Sequence, residues 1–349
     1  MTSLNGTRSV ALQINDLQVT YYTDAGRVKA VDGVSLTLQS GERLGLVGES
    51  GCGKSTLALA LMQMIKPPGR IESGSAIIYT DDGAVDLLKL SEEEMRQTRL
   101  SKISYIPQGA MNSLNPVMRI GAQMLDAMQD HLPRASKREL IERAEHALES
   151  VELKRSVFQM YPHELSGGMK QRVCIAIGIL LNPKVIIADE PTSALDVVVQ
   201  RQVMETIRRV QEKINAAVIL IGHDMGLMAQ VTHRVAVMYA GKLVEVSNVR
   251  EIFRHPLHPY AQALIRSLPR LKNKGVFHGI PGLAPSLLHL PSGCVFHPRC
   301  DRAMEICKIA APPRSTTPDG RFVSCHLYDE QGNPTTPDQR GMQAHTSPR

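Results

Sequence analysis

The stretch "GESGCGKST", Gly48 to Thr56, decides the fold of this chain. It fits the pattern G-x-x-x-x-G-K-[ST] and stands between an apolar run, Leu44–Val47, and a helical pattern that starts at Ser55. Glycines let backbone N–H groups wrap around a phosphate, and the start of a helix adds partial positive charge. The pattern therefore predicts a phosphate-binding loop between a buried strand and a helix.

Two side chains of this loop have a predicted chemical role in holding a nucleotide. Lys54 supplies a full positive charge to the β- and γ-phosphates, and the Ser55 hydroxyl is a ligand for Mg²⁺. Cys52 occupies a variable position of the motif and needs no chemical role. The predicted nucleotide-binding residues of the loop are Gly48, Glu49, Ser50, Gly51, Cys52, Gly53, Lys54, Ser55 and Thr56.

A second apolar run ends in two carboxylates. "VIIADEP", residues 185–191, places Asp189 and Glu190 directly after a buried-strand pattern. An Asp at the carboxyl end of a parallel strand can hold Mg²⁺ through a water, and the next Glu can polarise the attacking water. Two adjacent acids at a strand end can also be solvated turn residues. The phosphate loop upstream favours Asp189 as a nucleotide-site residue and Glu190 as a catalytic one.

Composition sets the broad class of the protein. The chain has 349 residues, of which 43% are hydrophobic and 21% charged, which suits one large or two moderate domains. Its net charge of +6 is modest and does not indicate a nucleic-acid-binding protein. The first residues lack the apolar core of a signal peptide, and no run of about 18 apolar residues predicts a membrane span. We therefore expect a chain kept in a reducing cytosol, where clustered cysteines favour metal ligation over disulfides.

The order of hydrophobic patterns predicts an α/β protein. Residues 10–47 alternate apolar and polar positions and predict antiparallel strands that lead to a buried strand. A helix is predicted over 55–65, where "KPPG" stops it, and helical spacing returns over 116–160. Strands and helices alternate over 183–245, which is typical of a parallel sheet. The segment 329–349 has few apolar residues and predicts a disordered tail.

The stretch "LSGGMKQR", residues 165–172, resembles the signature of ATP-binding cassette (ABC) ATPases. Physically it is a Ser-Gly-Gly turn that opens a helix and forms a second anion-binding nest. In that family the signature of one subunit covers the γ-phosphate bound by the other. The resemblance therefore implies that Ser166, Gly167 and Gly168 act on the ATP of a partner.

Other short motifs resemble further elements of the same family. Gln108 in "SYIPQ" resembles the Q-loop glutamine, which senses Mg²⁺ and links to the membrane partner, and "SALD", residues 193–196, resembles the D-loop. His223 in "IGHD" resembles the switch histidine that contacts the γ-phosphate, which implies a catalytic role. Tyr21 or Tyr22 lies where the family places an aromatic residue that stacks on adenine, and Tyr21 is the residue we assign.

The resemblance implies both a fold and a domain organisation. The fold is an ABC-type nucleotide-binding domain over 10–250, with a RecA-like core, an antiparallel β subdomain and a helical subdomain at about 110–165. A cysteine-rich C-terminal region follows over 251–328. Gly222, before the switch histidine, departs from the family pattern, in which a hydroxyl residue is common.

The resemblance also implies a function, an ATPase that energises a transporter whose membrane spans are on other chains. A soluble ABC ATPase that acts on DNA or ribosomes is the main alternative. One of DNA repair would insert a long coiled coil and one of translation would carry two cassettes, and the sequence predicts neither feature. A phosphate-binding module without ATPase activity is disfavoured because Glu190 and His223 are both in place. "HPLHPYAQALIRSLP", residues 255–269, resembles the C-terminal signature of dipeptide and oligopeptide importer ATPases, a group that includes nickel importers.

That group implies a set of partners and a location. They are a second ABC ATPase in a heterodimer, two transmembrane permease subunits and, indirectly, an extracytoplasmic substrate-binding protein. ATP and Mg²⁺ are the implied substrate and cofactor, and no nucleic acid is involved. The implied location is peripheral, at the cytoplasmic face of the cell membrane. Nothing in the chain identifies the cargo, because other chains select it.

The C-terminal region gathers four of the six cysteines, in "GCVFHPRCDRAMEICKIAAPP", residues 293–313, and in "VSCHL". They are Cys294, Cys300, Cys307 and Cys325. Their spacing, C-x5-C-x6-C-x17-C, lacks the close cysteine pair of common structural zinc sites. Four thiolates can hold either Zn²⁺ or a [4Fe–4S] cluster. Members of the importer group bind such a cluster in this region, so the resemblance implies a [4Fe–4S] cluster, with zinc or unliganded thiols as alternatives.

Overall fold

The computed structural model describes residues 9–109, 113–193, 195–268 and 279–335. In these ranges helices pack around two β-sheets. No helix of the described ranges combines the length and the apolar character that crossing a bilayer requires. The strands are β1 Val10–Thr23, β2 Gly26–Gln39, β3 Arg43–Val47, β4 Gly69–Thr80, β5 Gly83–Asp86, β6 Ile103–Ile106, β7 Val185–Asp189, β8 Ala217–Gly222, β9 Arg234–Tyr239, β10 Lys242–Asn248, β11 Ser315–Thr316 and β12 Phe322–Val323. The helices are α1 Lys54–Leu61, α2 Glu92–Thr98, α3 Ile120–Gln129, α4 Lys137–Ser150, α5 Gly167–Gly178, α6 Val197–Ile214, α7 Met225–Val231, α8 Val249–Arg254, α9 Pro259–Arg266 and α10 Glu305–Ile309.

The first sheet is antiparallel, with the strand order β2-β1-β4-β5. The predicted antiparallel strands are confirmed, because β1 pairs along its length with β2 and on its other side with β4. Apolar side chains of β1, such as Leu12, Ile14 and Val19, are buried and alternate with more exposed neighbours over much of the strand. One face of this sheet therefore packs against the rest of the protein.

The second sheet holds the parallel strands, in the order β11-β12-β10-β9-β3-β8-β7-β6. The strands β9, β3, β8, β7 and β6 are parallel to one another, and their residues are almost all buried. Strands covered on both faces consist of continuous apolar runs, which is why "VIIAD" and "AVILIG" have no polar alternation. Because the strands are parallel, the carboxyl ends of β3, β8, β7 and β6 lie at one edge.

Helix α1 is shorter than the sequence predicts. It begins at Lys54 and ends at Leu61, whereas the pattern predicts a helix up to Ile65. Gln63 adopts the left-handed conformation with φ +48°, so the backbone leaves the helix ahead of the prolines. The stop therefore comes from the local backbone conformation, and "KPPG" begins only afterwards.

The helical layer between β6 and β7 contains α3, α4 and α5, and residues 110–112 at its start lie outside the described residues. Helix α4 begins with a capping box, in which Ser136 and Glu139 bond each other's backbone N–H groups. The helical spacing predicted over 116–160 is confirmed in α4, since Leu140, Ala144 and Leu148 lie on one face and are buried against the core.

The C-terminal region joins the sheet and the core of the preceding part. Strand β12 pairs with β10, so that Glu245 faces Val323, and β11 then pairs with β12. Phe296 belongs to the same buried cluster as the helical layer. Residues 329–335 form a hydrogen-bonded turn, with the Asp329 N–H donating to the Asn333 carbonyl at 2.9 Å. The ordered chain thus passes the predicted start of the tail, and 336–349 lie outside the described residues.

Candidate nucleotide-binding site

The predicted strand, loop and helix around Gly48–Thr56 are confirmed, because β3 ends at Val47 and α1 begins at Lys54. Two glycines of the loop have no room for a side chain. A Cβ on Gly48 would lie 2.1 Å from the Met238 carbonyl oxygen, and one on Gly53 would lie 2.0 Å from that of Ala30. Both glycines also have positive φ, +152° and +104°. The loop path therefore requires glycine at these positions.

Lys54 turns back across this loop. Its Nζ donates to the carbonyl oxygens of Gly48 at 2.8 Å and Glu49 at 2.9 Å, and the side chain is buried. The Cys52 sulfur lies 3.7 Å from the same Nζ. Burial raises the pKa of the Cys52 thiol, and the Lys54 charge opposes this shift. The loop therefore presents one fixed positive charge and a neutral thiol.

Asp189, at the carboxyl end of β7, forms the floor of the site. It is 1% exposed, and its Oδ2 accepts a hydrogen bond from the Tyr105 hydroxyl at 3.1 Å. Among the described residues, no group stands in hydrogen-bonding geometry to its Oδ1. Burial raises the pKa of Asp189, and the hydroxyls of Ser55 and Tyr105 oppose the shift. A buried carboxylate oxygen in need of a partner, next to the Ser55 hydroxyl, fits a Mg²⁺ site.

Three predicted site residues meet above this floor, each from the end of a different parallel strand. Gln108 follows β6 and donates from Nε2 to Glu190 Oε2 at 2.8 Å. His223 follows β8, and its Nδ1 lies 3.7 Å from Glu190 Oε1, with 74% of the side chain exposed. Glu190 itself adopts φ +44°, and its N–H donates to the Ile221 carbonyl at 3.0 Å. This unusual backbone orients the carboxylate between the two neighbours.

The departure from the family pattern at Gly222 has a packing reason. A Cβ at this position would lie 2.4 Å from the Met228 Cε atom, which is buried in the core. The space that a hydroxyl side chain would need is therefore filled by a methionine of α7.

The signature and the D-loop each stand at the start of a helix. Ser166 caps α5 by accepting a backbone N–H of its first turn. Within the described residues, no hydrogen bond or ion pair joins Ser166–Gly168 to Gly48–Thr56. Asp196 of the D-loop caps α6, and Ala194 lies outside the described residues. Ser166 is exposed at this helix start, and the action of the signature on a partner's ATP stays a prediction.

The two tyrosines considered for adenine stacking have different surroundings. Tyr21 is half-buried, and its ring lies against Gly69, where a Cβ would come within 2.6 Å of the ring. Tyr22 is exposed, with the guanidinium groups of Arg27 and Arg70 at 5.5 and 5.6 Å from its ring centre. The assignment of Tyr21 stays a prediction.

The four C-terminal cysteines line one small pocket. All are reduced, and burial together with the charge of the neighbouring thiols raises the pKa of Cys300 to about 11 and of Cys325 to about 12. In the part of the chain that the structure describes, no three His, Cys, Asp or Glu side chains stand close enough to hold a metal ion. The structure therefore brings the cysteines together without a formed metal group, and metal ligation stays a prediction.

Two residues of this C-terminal region touch the phosphate loop, and the sequence did not predict them. Arg299 Nη1 and Nη2 donate to the Glu49 carboxylate at 2.7 and 2.9 Å. The Tyr260 hydroxyl accepts the Glu49 backbone N–H at 3.0 Å. Arg299 and Glu49 are 250 positions apart, so no local spacing signals their contact.

Comparison with known proteins agrees with this arrangement. Residues 31–193 match the ABC transporter family, and residues 244–307 match the oligopeptide/dipeptide transporter C-terminal region. The chain is 46% identical over 320 residues to the oligopeptide transport ATP-binding protein OppD of Salmonella typhimurium, covering 91% of this chain and 93% of that protein. It is 42% identical to the dipeptide transport ATP-binding protein DppD of Caldanaerobacter subterraneus, covering 92% and 98%.

A solved structure supports the same fold. The ATP-binding cassette MJ0796, in a dimeric post-hydrolysis state bound to ADP and Pi, superposes with a TM-score of 0.60 at 26% identity. The match covers 68% of this chain and 99% of that one. The described residues therefore contain the ABC ATPase cassette fold. Given this fold and the relatives that match almost end to end, the chain belongs to the ABC transporter family of ATP-binding proteins, in the group with the oligopeptide/dipeptide transporter C-terminal region.

Proposed function

We propose that this chain is the ATP-hydrolysing subunit that energises a peptide importer, bound peripherally at the cytoplasmic face of the membrane. The observation that carries the proposal is the meeting of the phosphate loop, Asp189, Glu190 and His223 at one edge of the parallel sheet. The similarity to oligopeptide and dipeptide transport proteins favours peptides over nickel as the cargo.

The nucleotide-binding step follows from the loop and the floor beneath it. The backbone N–H groups of the glycine-rich loop and Lys54 bind the phosphates. On binding, Lys54 exchanges its hydrogen bonds to the loop carbonyls for bonds to phosphate oxygens. Ser55, Asp189 and Gln108 are the residues that would hold Mg²⁺. The bound ion supplies charge neutralisation on the β- and γ-phosphates. The unpartnered Oδ1 of Asp189 supports this assignment.

In the hydrolytic step, Glu190 orients a water for in-line attack. The water oxygen bonds to the γ-phosphorus while the bond from that phosphorus to the β–γ bridging oxygen breaks, which yields ADP and phosphate. Glu190 accepts the water proton, and its contacts with Gln108 and His223 fix the direction of its carboxylate. His223 is exposed, which leaves it free to contact the γ-phosphate.

The assembly we propose pairs this chain with a second ABC ATPase beneath two permeases. Ser166, Gly167 and Gly168 would cover the γ-phosphate held by that second subunit, because a helix start with unpaired N–H groups attracts an anion. The exposed position of Ser166 at the start of α5 supports this role. An extracytoplasmic binding protein would deliver the peptide, and closing the ATPase pair would move the permeases.

For the cysteine pocket we propose a [4Fe–4S] cluster held by Cys294, Cys300, Cys307 and Cys325. Burial and the charge of the neighbouring thiols raise the pKa of Cys300 and Cys325, and a positively charged centre would offset this repulsion and stabilise the thiolates. A four-iron cluster spreads its ligands over four metal atoms, so it needs wider sulfur spacing than one tetrahedral zinc. Protein purified without air should contain about four irons and four sulfides per chain. One zinc and no sulfide would favour the alternative.

Glu190→Gln tests the hydrolytic assignment. It should keep ATP affinity, trap a closed ATPase pair, and lower turnover by about 100-fold or more, because the group that accepts the proton is gone. Glu142→Gln, the same change on the exposed face of α4, is the matched control and should leave turnover unchanged. Wild-type turnover in Glu190→Gln would remove Glu190 from the mechanism.

Uptake assays test the cargo. Cells that lack the gene should regain uptake of a labelled oligopeptide when they receive the wild-type chain, and should stay inactive with Glu190→Gln. Recovery of labelled nickel uptake without peptide uptake would overturn the peptide assignment and keep the ATPase assignment.

A further inference from the structure

The ion pair between Arg299 and Glu49 joins the cysteine region to the phosphate loop. The guanidinium and the carboxylate meet in a paired geometry, with N–O distances of 2.7 and 2.9 Å. The Arg299 side chain is 5% exposed, and that of Glu49 is 26% exposed. Arg299 Nη1 also donates to the Tyr239 hydroxyl at 3.2 Å, and its Nε donates to the Pro281 carbonyl at 2.8 Å. These hydrogen bonds therefore hold the Arg299 guanidinium in one position before the nucleotide binds.

An aromatic cluster supports the same contact from behind. The rings of Tyr239, Tyr260 and Phe296 lie with their centres 4.5 to 5.3 Å apart. All three side chains are buried. Tyr260 reaches from this cluster to the backbone N–H of Glu49, so the main chain and the side chain of Glu49 are both anchored. Phe296 lies two positions after Cys294, and Arg299 directly precedes Cys300. The cluster therefore connects the cysteine pocket to the loop through packed, rigid groups.

The chemistry of the loop explains why this anchoring matters. Glu49 is a negative charge within a loop whose other groups attract phosphate. An unpaired carboxylate there would repel the triphosphate and could itself bond to Lys54 or to the N–H groups of the loop. Arg299 neutralises the carboxylate and holds it away from Lys54, whose Nζ donates to the backbone carbonyls of Gly48 and Glu49 and lies 3.7 Å from the Cys52 sulfur.

We propose that Arg299 is a positioning residue for ATP, which holds Glu49 outside the phosphate cradle and ties the loop to the C-terminal cysteine region. The proposal rests on the assignment of Gly48–Thr56 as the phosphate loop. It gives the C-terminal region a direct part in nucleotide binding, separate from the cargo and from the hydrolytic step at Glu190.

Binding of a fluorescent ATP analogue with Mg²⁺ to the purified full chain tests the proposal. Arg299→Ala should weaken affinity about tenfold, which corresponds to about 1.4 kcal/mol, because the freed Glu49 charge opposes the phosphates. The double variant Glu49→Gln with Arg299→Ala should recover affinity to within about threefold of wild type, since the repelling charge is gone. In steady-state turnover, Arg299→Ala should raise KM and leave kcat nearly unchanged.

Two comparisons distinguish this role from a structural one. Arg314→Ala, a matched change in the same region at an exposed ion pair with Asp16, should leave ATP affinity unchanged. If Glu49→Gln fails to restore affinity to Arg299→Ala, Arg299 acts through folding of the region, and the proposal is overturned. If Arg299→Ala aggregates, Arg299→Gln with and without Glu49→Gln provides the same comparison, and the same two results decide.

Lys54→Ala separates this proposal from the site assignment beneath it. Loss of affinity in Lys54→Ala with wild-type affinity in Arg299→Ala overturns only the role of Arg299. Wild-type affinity in Lys54→Ala would overturn the phosphate-loop assignment itself.

Discussion

Glu245→Gln probes a buried carboxylate at the junction between the main sheet and the C-terminal region. Glu245 lies on β10 and is 0% exposed. Its two oxygens accept the backbone N–H groups of Leu257 at 3.1 and 3.0 Å, and one also accepts that of His258 at 2.8 Å. Burial raises the pKa of Glu245 from its ordinary 4.5 to about 7, against the effect of these bonds and of the Arg321 charge.

The sign of the resulting pH dependence follows from which state loses its proton first. Below about pH 4.5 this carboxyl is protonated in both the folded and the unfolded chain, and it contributes no pH dependence. Between that value and about pH 7 the unfolded chain releases the proton and the folded chain keeps it, so stability falls as pH rises. Above about pH 7 the loss levels off at about 3 kcal/mol, since each pH unit corresponds to 1.36 kcal/mol.

The glutamine variant carries no titratable group at this position. Its free energy of unfolding should therefore fall less than that of the wild type between about pH 5 and pH 8, by about 2 kcal/mol. The constant cost of the new amide among N–H donors is the same at both pH values and cancels. Burial lowers the pKa of His258 to about 3, and this group titrates in both proteins, so it also cancels.

Urea unfolding followed by circular dichroism at the two pH values measures this difference. Glu305→Gln, the identical substitution at an exposed carboxylate of α10, controls for the loss of one surface charge. Equal pH dependence in wild type and Glu245→Gln would refute the reasoning, because it would mean that burial on β10 does not hold the proton on this carboxyl.

Three further predictions concern the packing at two glycines and the cysteine pocket. Gly222→Ser should lower the free energy of unfolding by about 1 kcal/mol, because the atom that the new side chain meets is the flexible end of Met228. Gly53→Ala should cost about 3 kcal/mol of stability and abolish ATP binding, because the new Cβ would meet a backbone carbonyl at a position with positive φ. Thermal unfolding compares the stability of the two variants, and equal losses of stability would contradict the prediction. Cys300→Ser should lose the visible absorbance of the proposed cluster and loosen the C-terminal region, as measured by iron content and limited proteolysis. Full iron content in that variant would remove Cys300 from the ligand set.

The parts of the fold that were predictable are those that depend on contiguous patterns. The phosphate loop, the buried strands β7 and β8 and the apolar face of α4 each follow from a few neighbouring residues. The end of α1 was misplaced because the left-handed conformation of Gln63 has no compositional mark as clear as that of the prolines after it.

The meeting of site residues depended on a different kind of information. Family resemblance placed Gln108 and His223 in one site with Glu190. No local pattern could do so, because each of the three residues lies at the end of a separate strand. No resemblance of motifs indicated the contact of Arg299 with Glu49. Such a contact depends on how the C-terminal region folds back over the sheet, which is set by packing between elements distant in sequence.

The pairing of β12 with β10 has a consequence for how this protein can be divided. Glu245 and Val246 of β10 are the residues that β12 covers. In a chain cut near residue 250, the backbone N–H and C=O groups of these two residues would form an open sheet edge. The Glu245 carboxylate would also lose its hydrogen bonds from Leu257 and His258. Open edges of this kind join with those of other molecules. Excising the ATPase portion for biochemistry, or grafting it onto another C-terminal region, should therefore yield an aggregation-prone fragment unless β12 travels with it.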